Sequence, residues 1–193
     1  MRLIVGLGNP GPEYVWTRHN AGFWTLDILA DRLGARFANK WSSQVANGRL
    51  AGDSAILQKP TTFMNRSGFA VTQAMSFYGL ETAALIVIHD DVDLAPGRLK
   101  IKQGGGAGGH KGIASLEQQL PDREFFRVRF GVGRPEAPGA DTADFVLARI
   151  PEVERAAWRE RAKTAADAVE CLISEGLAAA QNRFHADPRE GDG

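Results

Sequence analysis

One cysteine, Cys171, occurs in 193 residues. A disulfide framework within the chain and any cysteine-based zinc site are therefore excluded, and its alanine-rich helical surroundings suit a buried structural thiol in a reducing cytosol. No apolar run approaches the ~20 residues that a membrane helix requires, and residues 1–22 lack the apolar centre of a signal peptide. A soluble, cytoplasmic protein with no membrane partner is expected. Net charge is absent too, with 23 basic against 23 acidic residues, which argues against a broad nucleic-acid-binding face. Internal repeats are missing, and compositional bias is confined to a glycine-rich run at 103–112 and the tail at 187–193.

The neutral average conceals a dipole. Residues 98–134 carry eight Lys/Arg against three Asp/Glu, and residues 135–193 carry seven against twelve. One segment is electropositive enough to hold a polyanion locally, while the acidic remainder limits indiscriminate binding. At 44% hydrophobic, the chain suits a single domain over 1–186 followed by a tail, 187–193, expected to be disordered.

Apolar patterning predicts strands at 2–7, 54–59, 85–89, 98–102 and 126–133, with a weaker one near 45–51. Helices are predicted from 21 to 33, N-capped by Asn20 and closed by Gly34, and over 67–78, 112–120 and 152–175, with a shorter helix through Phe184. Alternating strands and helices indicate an α/β fold. No helix separates 85–89 from 98–102, so some antiparallel pairing enters. The expectation is a mixed, mostly parallel twisted sheet flanked by helices on both faces.

Gly6-Leu7-Gly8-Asn9-Pro10-Gly11 spells the dinucleotide pattern G-x-G-x-x-G, but that site requires a helix to start inside the turn. Pro10 and Pro12 instead force extended backbone and remove two donors, and the helix waits until about residue 21. The match is a decoy, and no cofactor is expected.

Four constellations could carry chemistry. His19 immediately precedes a helix, whose dipole disfavours imidazolium and suits a base; capping, or stacking on Trp16 or Trp24, is the bland alternative. His89-Asp90-Asp91-Val92-Asp93 follows a buried strand, where α/β sheets present ligand sites. Asp90 there suits a partner that fixes the tautomer of a histidine. Metal binding by His89, Asp90, Asp91 and Asp93 is the rival reading, and a solvated turn the bland one for Asp91 and Asp93. In Lys59–Gly68, Phe63 suits base stacking and Asn65 hydrogen bonding, unless Phe63 and Met64 fold into the core and Asn65 caps a helix. Around the bare backbone of 103–112, Arg98, Lys100 and Lys102 alternate on one strand and Arg127 and Arg129 on another, a pattern suited to a phosphate clamp. No Gly-x-Ser-x-Gly elbow is present and Cys171 lacks an activating partner, so water is the expected nucleophile.

Taken together, Val5-Gly6-Leu7-Gly8-Asn9-Pro10-Gly11, Tyr14, Thr-Arg-His-Asn-Ala-Gly at 17–22, Pro-Thr-Thr-Phe-Met-Asn-Arg-Ser-Gly at 60–68, His-Asp-x-x-Asp at 89–93, the glycine loop and Asn-Arg-Phe-His at 182–185 resemble bacterial peptidyl-tRNA hydrolases over nearly the whole chain. The resemblance implies a monomeric, metal-independent esterase that cleaves the ester joining peptide to tRNA. It implies His19 as the base, Asp90 as its support and Asn9 as the sensor of the peptide side. Tyr14, Phe63, Asn65 and Lys111 fall at tRNA-end contacts, and Lys102 and Arg129 at a clamp for the tRNA 5′-phosphate. Position 111 departs from the pattern, because Lys stands where the family usually has Asn; a donor-only cation replaces an amide that both donates and accepts. A non-catalytic RNA-binding relative and a metal-dependent hydrolase centred on His89–Asp93 are the competing classes.

Overall fold

The protein is described by a computed structural model over residues 1–185; the tail expected at 187–193 lies outside the described residues. The chain leaves the first strand, β1 (Arg2–Gly6), for a turn-rich segment and then α1 (Ala21–Leu33). A hairpin meander follows, comprising β2 (Ala38–Lys40), β3 (Ser43–Leu50) and β4 (Asp53–Pro60). After α2 (Ser67–Tyr78) come β5 (Leu85–Asp91), β6 (Leu99–Gln103), α3 (Lys111–Gln119) and β7 (Phe126–Gly131). The described part ends with the short α4 (Thr142–Leu147), the long α5 (Arg155–Glu175) and α6 (Leu177–Phe184).

The sheet order is β2-β3-β4-β1-β5-β7-β6. The four strands β4, β1, β5 and β7 run parallel, and β2, β3 and β6 add antiparallel pairings at the two edges. The mixed, mostly parallel α/β sheet expected from the sequence is the one formed. Its antiparallel pair on the β6 side is not the one that spacing suggested. β6 skips β5 and pairs with β7, because β7 inserts parallel to β5 and fills the place beside it. β2 and α4, at three and six residues, were too short to give a periodic signal.

Alternation along the central strands supplies two cores. Ile4, Ile86 and Ile88 meet α1 and α5 through Leu26, Leu29, Trp158, Ala162 and Val169. Leu3, Val5, Leu85 and Val87 meet α2 and α3 through Val71, Met75, Ile113 and Leu116. Each fully buried aliphatic side chain of this kind contributes about 1.5–3 kcal/mol.

One close approach positions the site. A Cβ on Gly22 would collide with Leu7 N and Ile88 O, and one on Gly6 with the carbonyl of Gly22. These bare positions let the first turn of α1 sit directly on the ends of β1 and β5. Gly6 of the apparent dinucleotide motif thus serves backbone packing, and α1 begins at Ala21 after a 3₁₀ turn at Arg18–Asn20.

Candidate active site

Asp90, near the end of β5, is almost wholly buried and is the hub of the cleft. His19 Nδ1 lies 2.8 and 2.9 Å from its two carboxylate oxygens. A carboxylate only accepts, so Nδ1 carries the proton and Nε2 keeps its lone pair. His110 Nε2 lies 2.8 Å from Asp90 Oδ1, while His110 Nδ1 accepts from the Gly112 and Ile113 amides and caps α3. That cap settles the second tautomer: Nε2 of His110 holds the proton and also donates to Asp90. Burial pushes the Asp90 carboxyl upward, but its contacts with His19 and His110 outweigh it and hold the group far below the ordinary carboxylate range. Asp90 stays ionised.

The third imidazole, His89, lies beneath. Its Nδ1 is 2.8 Å from the Asp90 carbonyl, and its Nε2 accepts from Arg127 Nε and Nη2 at 3.2 and 3.1 Å. Burial, with His110 and the Arg127 guanidinium close by, drives its pKa well below the usual histidine value, so it is a neutral spacer. Arg127 also donates to the Gly106 carbonyl at 2.8 Å and ties the glycine-rich loop to the sheet.

Asn9 is held by a neighbour's side chain and by its own. Its N–H donates to Asn20 Oδ1 at 2.9 Å, and Asn20 Nδ2 returns a bond to the Asn9 carbonyl at 3.0 Å. Asn20 therefore occupies the N-cap position without capping α1, contrary to the expectation from its place in the sequence. Asn9 Oδ1 accepts from the Met64 amide at 2.9 Å, which fixes the flip and leaves the Nδ2 amino group for a ligand.

The nine residues that the resemblance implies, Asn9, Tyr14, His19, Phe63, Asn65, Asp90, Lys102, Lys111 and Arg129, line one cleft of about 710 Å³, whereas Arg98 and Lys100 of the basic pattern are not in its lining. Its floor is the buried cluster above. Its rim is open: Phe63 is 60% exposed, and Asn65 and Lys111 are exposed. Met64 alone turns into the core, so the Phe63–Met64 pair divides between the two expected readings. Asn65 lies in a 3₁₀ turn and does not cap α2, whose N-cap position is held by Arg66.

The basic strands behave as their period-two spacing predicts. Register places Lys100 opposite Arg129 and Lys102 opposite Arg127 on one face. Arg129 Nε is held by Asp91 at 2.6 Å. Burial and the charges of Arg127 and Arg129 lower the Lys102 pKa. Three crowded cations beside the single carboxylate of Asp91 make a place where an anion relieves repulsion.

The rival metal reading fails on these contacts. Both His89 nitrogens are engaged, Asp91 faces Arg129 and Asp93 faces Arg134. Among the described residues, only His19, Asp90 and His110 bring three metal-ligating atoms within 4.8 Å. A cation there would have to displace the two imidazole protons that already bind the carboxylate. The opposite wall comes from α4, with Val146 and Leu147 in the lining. It is anchored by the Arg18 guanidinium 4.2 Å above the Phe145 ring.

Sequence reasoning passed over His110 and Asn20 as working parts, and it read Arg127 for a phosphate clamp, not as the partner of His89 and the Gly106 carbonyl. His110 alone offered a usable signal: an isolated imidazole in a glycine run, immediately before a helix.

With this geometry in place, comparison with known proteins is informative. A model of the peptidyl-tRNA hydrolase family matches residues 3–191. A peptidyl-tRNA hydrolase of Mycobacterium tuberculosis is 51% identical over 187 residues, covering 95% of this chain and 97% of that one. Its counterpart from Frankia casuarinae is 49% identical over 186 residues, covering 95% and 93%. The crystal structure of peptidyl-tRNA hydrolase from Acinetobacter baumannii superposes with a TM-score of 0.88 at 36% identity, covering 96% and 95%. Within the described residues, no helix is long and apolar enough to cross a membrane.

Proposed function

Because the chain belongs to the peptidyl-tRNA hydrolase family, and is thus a hydrolase of the ester bond of peptidyl-tRNA, we propose that His19 is its general base, acting on water from Nε2. The observation that carries this reading is the pair of contacts from His19 Nδ1 to Asp90. They put the lone pair on the other nitrogen, in the cleft, next to a permanent anion. As water attacks the ester carbonyl, its proton passes to Nε2, and the imidazolium that forms is stabilised by Asp90. Asn65 and loop N–H groups bear the charge developing on the carbonyl oxygen. As the ester C–O bond breaks, the imidazolium returns its proton to the leaving 3′-oxygen, releasing the tRNA 3′-hydroxyl and the peptide acid and restoring the base.

Asn9 supplies selectivity in this scheme. Its free amino group meets the acyl carbonyl of a blocked residue as donor to acceptor, whereas a free α-ammonium presents only donors and is refused. Tyr14, Phe63, Asn65 and Lys111 receive the tRNA end, with Phe63 exposed for stacking. Lys102 and Arg129 hold the 5′-phosphate. Release of tRNA from prematurely ended synthesis, by a cytoplasmic monomer that uses no metal, is the cellular role we assign.

The test is turnover of N-acetyl-aminoacyl-tRNA against unblocked aminoacyl-tRNA. The native protein is expected to cleave only the first. His19→Ala should lose about 10²–10⁴-fold in kcat while still binding tRNA. Equal turnover by the variant would remove His19 from the mechanism, and binding without turnover by the native protein would identify a non-catalytic RNA-binding relative.

A further inference from the structure

The run at 182–185 has no part in the cleft, yet it sits against the strand that carries Lys102. β6 is an edge strand. Ile101, at its centre, turns its two main-chain groups away from β7, where an unpaired edge would leave them to water. Here they are satisfied by side chains. The Ile101 N–H donates to His185 Nε2 at 2.7 Å, and the Ile101 carbonyl accepts from Gln181 Nε2 at 3.0 Å. Gln181 and His185 are four positions apart, so the last turn of α6 and its C-cap residue deliver both to a single strand residue. The acceptor role requires a neutral imidazole. Burial and the nearby cations Lys100 and Arg98 push the His185 pKa down, in keeping with that role.

α6 is itself anchored. Arg183 makes two 2.8 Å contacts to Glu175 on α5, which packs into the α1-side core. A continuous set of contacts therefore runs from the core through α5 and α6 to Ile101. Lys100 and Lys102 flank that residue, with Lys102 beside Arg127 and Arg129.

We propose that His185 and Gln181 are positioning residues for phosphate binding: by standing in for a missing strand along the outer edge of β6, they hold Lys102 in register with Arg127 and Arg129. This inference rests on the reading of Lys102 and Arg129 as the clamp for the tRNA 5′-phosphate.

The experiment measures hydrolysis of N-acetyl-aminoacyl-tRNA bearing its 5′-phosphate and of the same tRNA after phosphatase treatment. His185→Ala and Gln181→Ala should each raise KM about three- to tenfold on the phosphorylated substrate, the loss of one hydrogen bond, with kcat unchanged. On the dephosphorylated substrate, variant and native KM should coincide. His185→Gln, whose side-chain oxygen can accept the same N–H, should restore most of the loss. Folding is checked by thermal melting, and Gln181→Ala gives a second route if His185→Ala folds poorly. A native KM on the phosphorylated substrate for both variants, or an equal rise on both substrates, overturns the inference. If the native protein itself ignores the 5′-phosphate, the clamp reading fails, and this proposal fails with it.

Discussion

The floor and the rim of the cleft are built on opposite principles. On the floor, Asn9, His19 and Asp90 are almost fully enclosed and His110 is partly so, and their side chains bond to one another or to main chain through every nitrogen and oxygen but two. The two left over, His19 Nε2 and Asn9 Nδ2, are those that the proposed mechanism uses. On the rim, Phe63, Asn65 and Lys111 are exposed and make no such network. A fixed floor concentrates electrostatic preorganisation where charge develops, and a loose rim adapts to a large, flexible nucleic-acid end. Changes on the floor should appear in kcat, and changes on the rim in KM.

The largest break in that contrast should come from Asp90→Asn. The amide offers one acceptor where the carboxylate offered two, and it presents N–H to one of the two imidazoles. If that is His19, the proton moves to Nε2 and the base is lost. A fall in kcat of about 10³–10⁴-fold is expected, with tRNA affinity within a few-fold of native. Single-turnover hydrolysis with a parallel binding measurement decides it, and a KM-dominated defect would erase the proposed division.

Charge reversal at Lys102 should do the opposite. Lys102→Glu places an anion beside Asp91 and removes one phosphate contact. KM should rise by about tenfold or more while the slope of log KM against log salt falls by roughly one. Steady-state kinetics across a salt series provides the check; an unchanged slope removes Lys102 from the clamp.

How far the sequence disclosed these two regions follows from the range of the forces involved. The rim and basic strands were legible because their signals are local: Phe63 and Asn65 sit in one loop, and alternation in β6 and β7 assigns faces directly. His19 and Asp90 were legible as strand-end and helix-start residues, although 71 positions separate them. Their partners were not. Asn20 looks like a cap and proves to be a clasp on Asn9, because the close approach at Gly22 brings that loop within reach. His110 looks like part of a flexible run and proves to be half of the Asp90 network. The pairing of β6 with β7 was hidden for the same reason: strand order is set by what fills the place beside β5, and spacing along the chain does not report it.

The buried His89 should add a pH signature to the floor. Its folded pKa lies below the unfolded value of ~6.5, so below that pH the unfolded chain takes up a proton that the native protein refuses. Stability is full above about pH 6.5 and declines as pH falls, by up to ~1.4 kcal/mol per pH unit from this group. Depressed Asp90 adds loss only below about pH 4, the ordinary carboxylate value. Denaturant unfolding between these limits should show the slope reduced in His89→Asn, whatever that variant costs in absolute stability. An identical slope would mean that His89 is protonated in the native protein.

Lys111 offers the finest test, since it is the proposed site residue that the sequence reading set apart from the resemblance. It lies at the first turn of α3, directly after the His110 cap, and it is exposed. A cation there opposes the helix dipole, so Lys111→Asn should stabilise the protein by about 0.3–1 kcal/mol. The same position lines the cleft, and in the proposed complex with the tRNA end the lysine attracts phosphate that asparagine would only hydrogen-bond. Native Lys111 thus gives up a little helix stability for charge on the rim, and Lys111→Asn should reverse the exchange: a slightly higher melting temperature, a modestly raised KM at low salt that converges with native at high salt, and no change in kcat. A change in kcat would place Lys111 with the floor and move the boundary between the two regions to the start of α3.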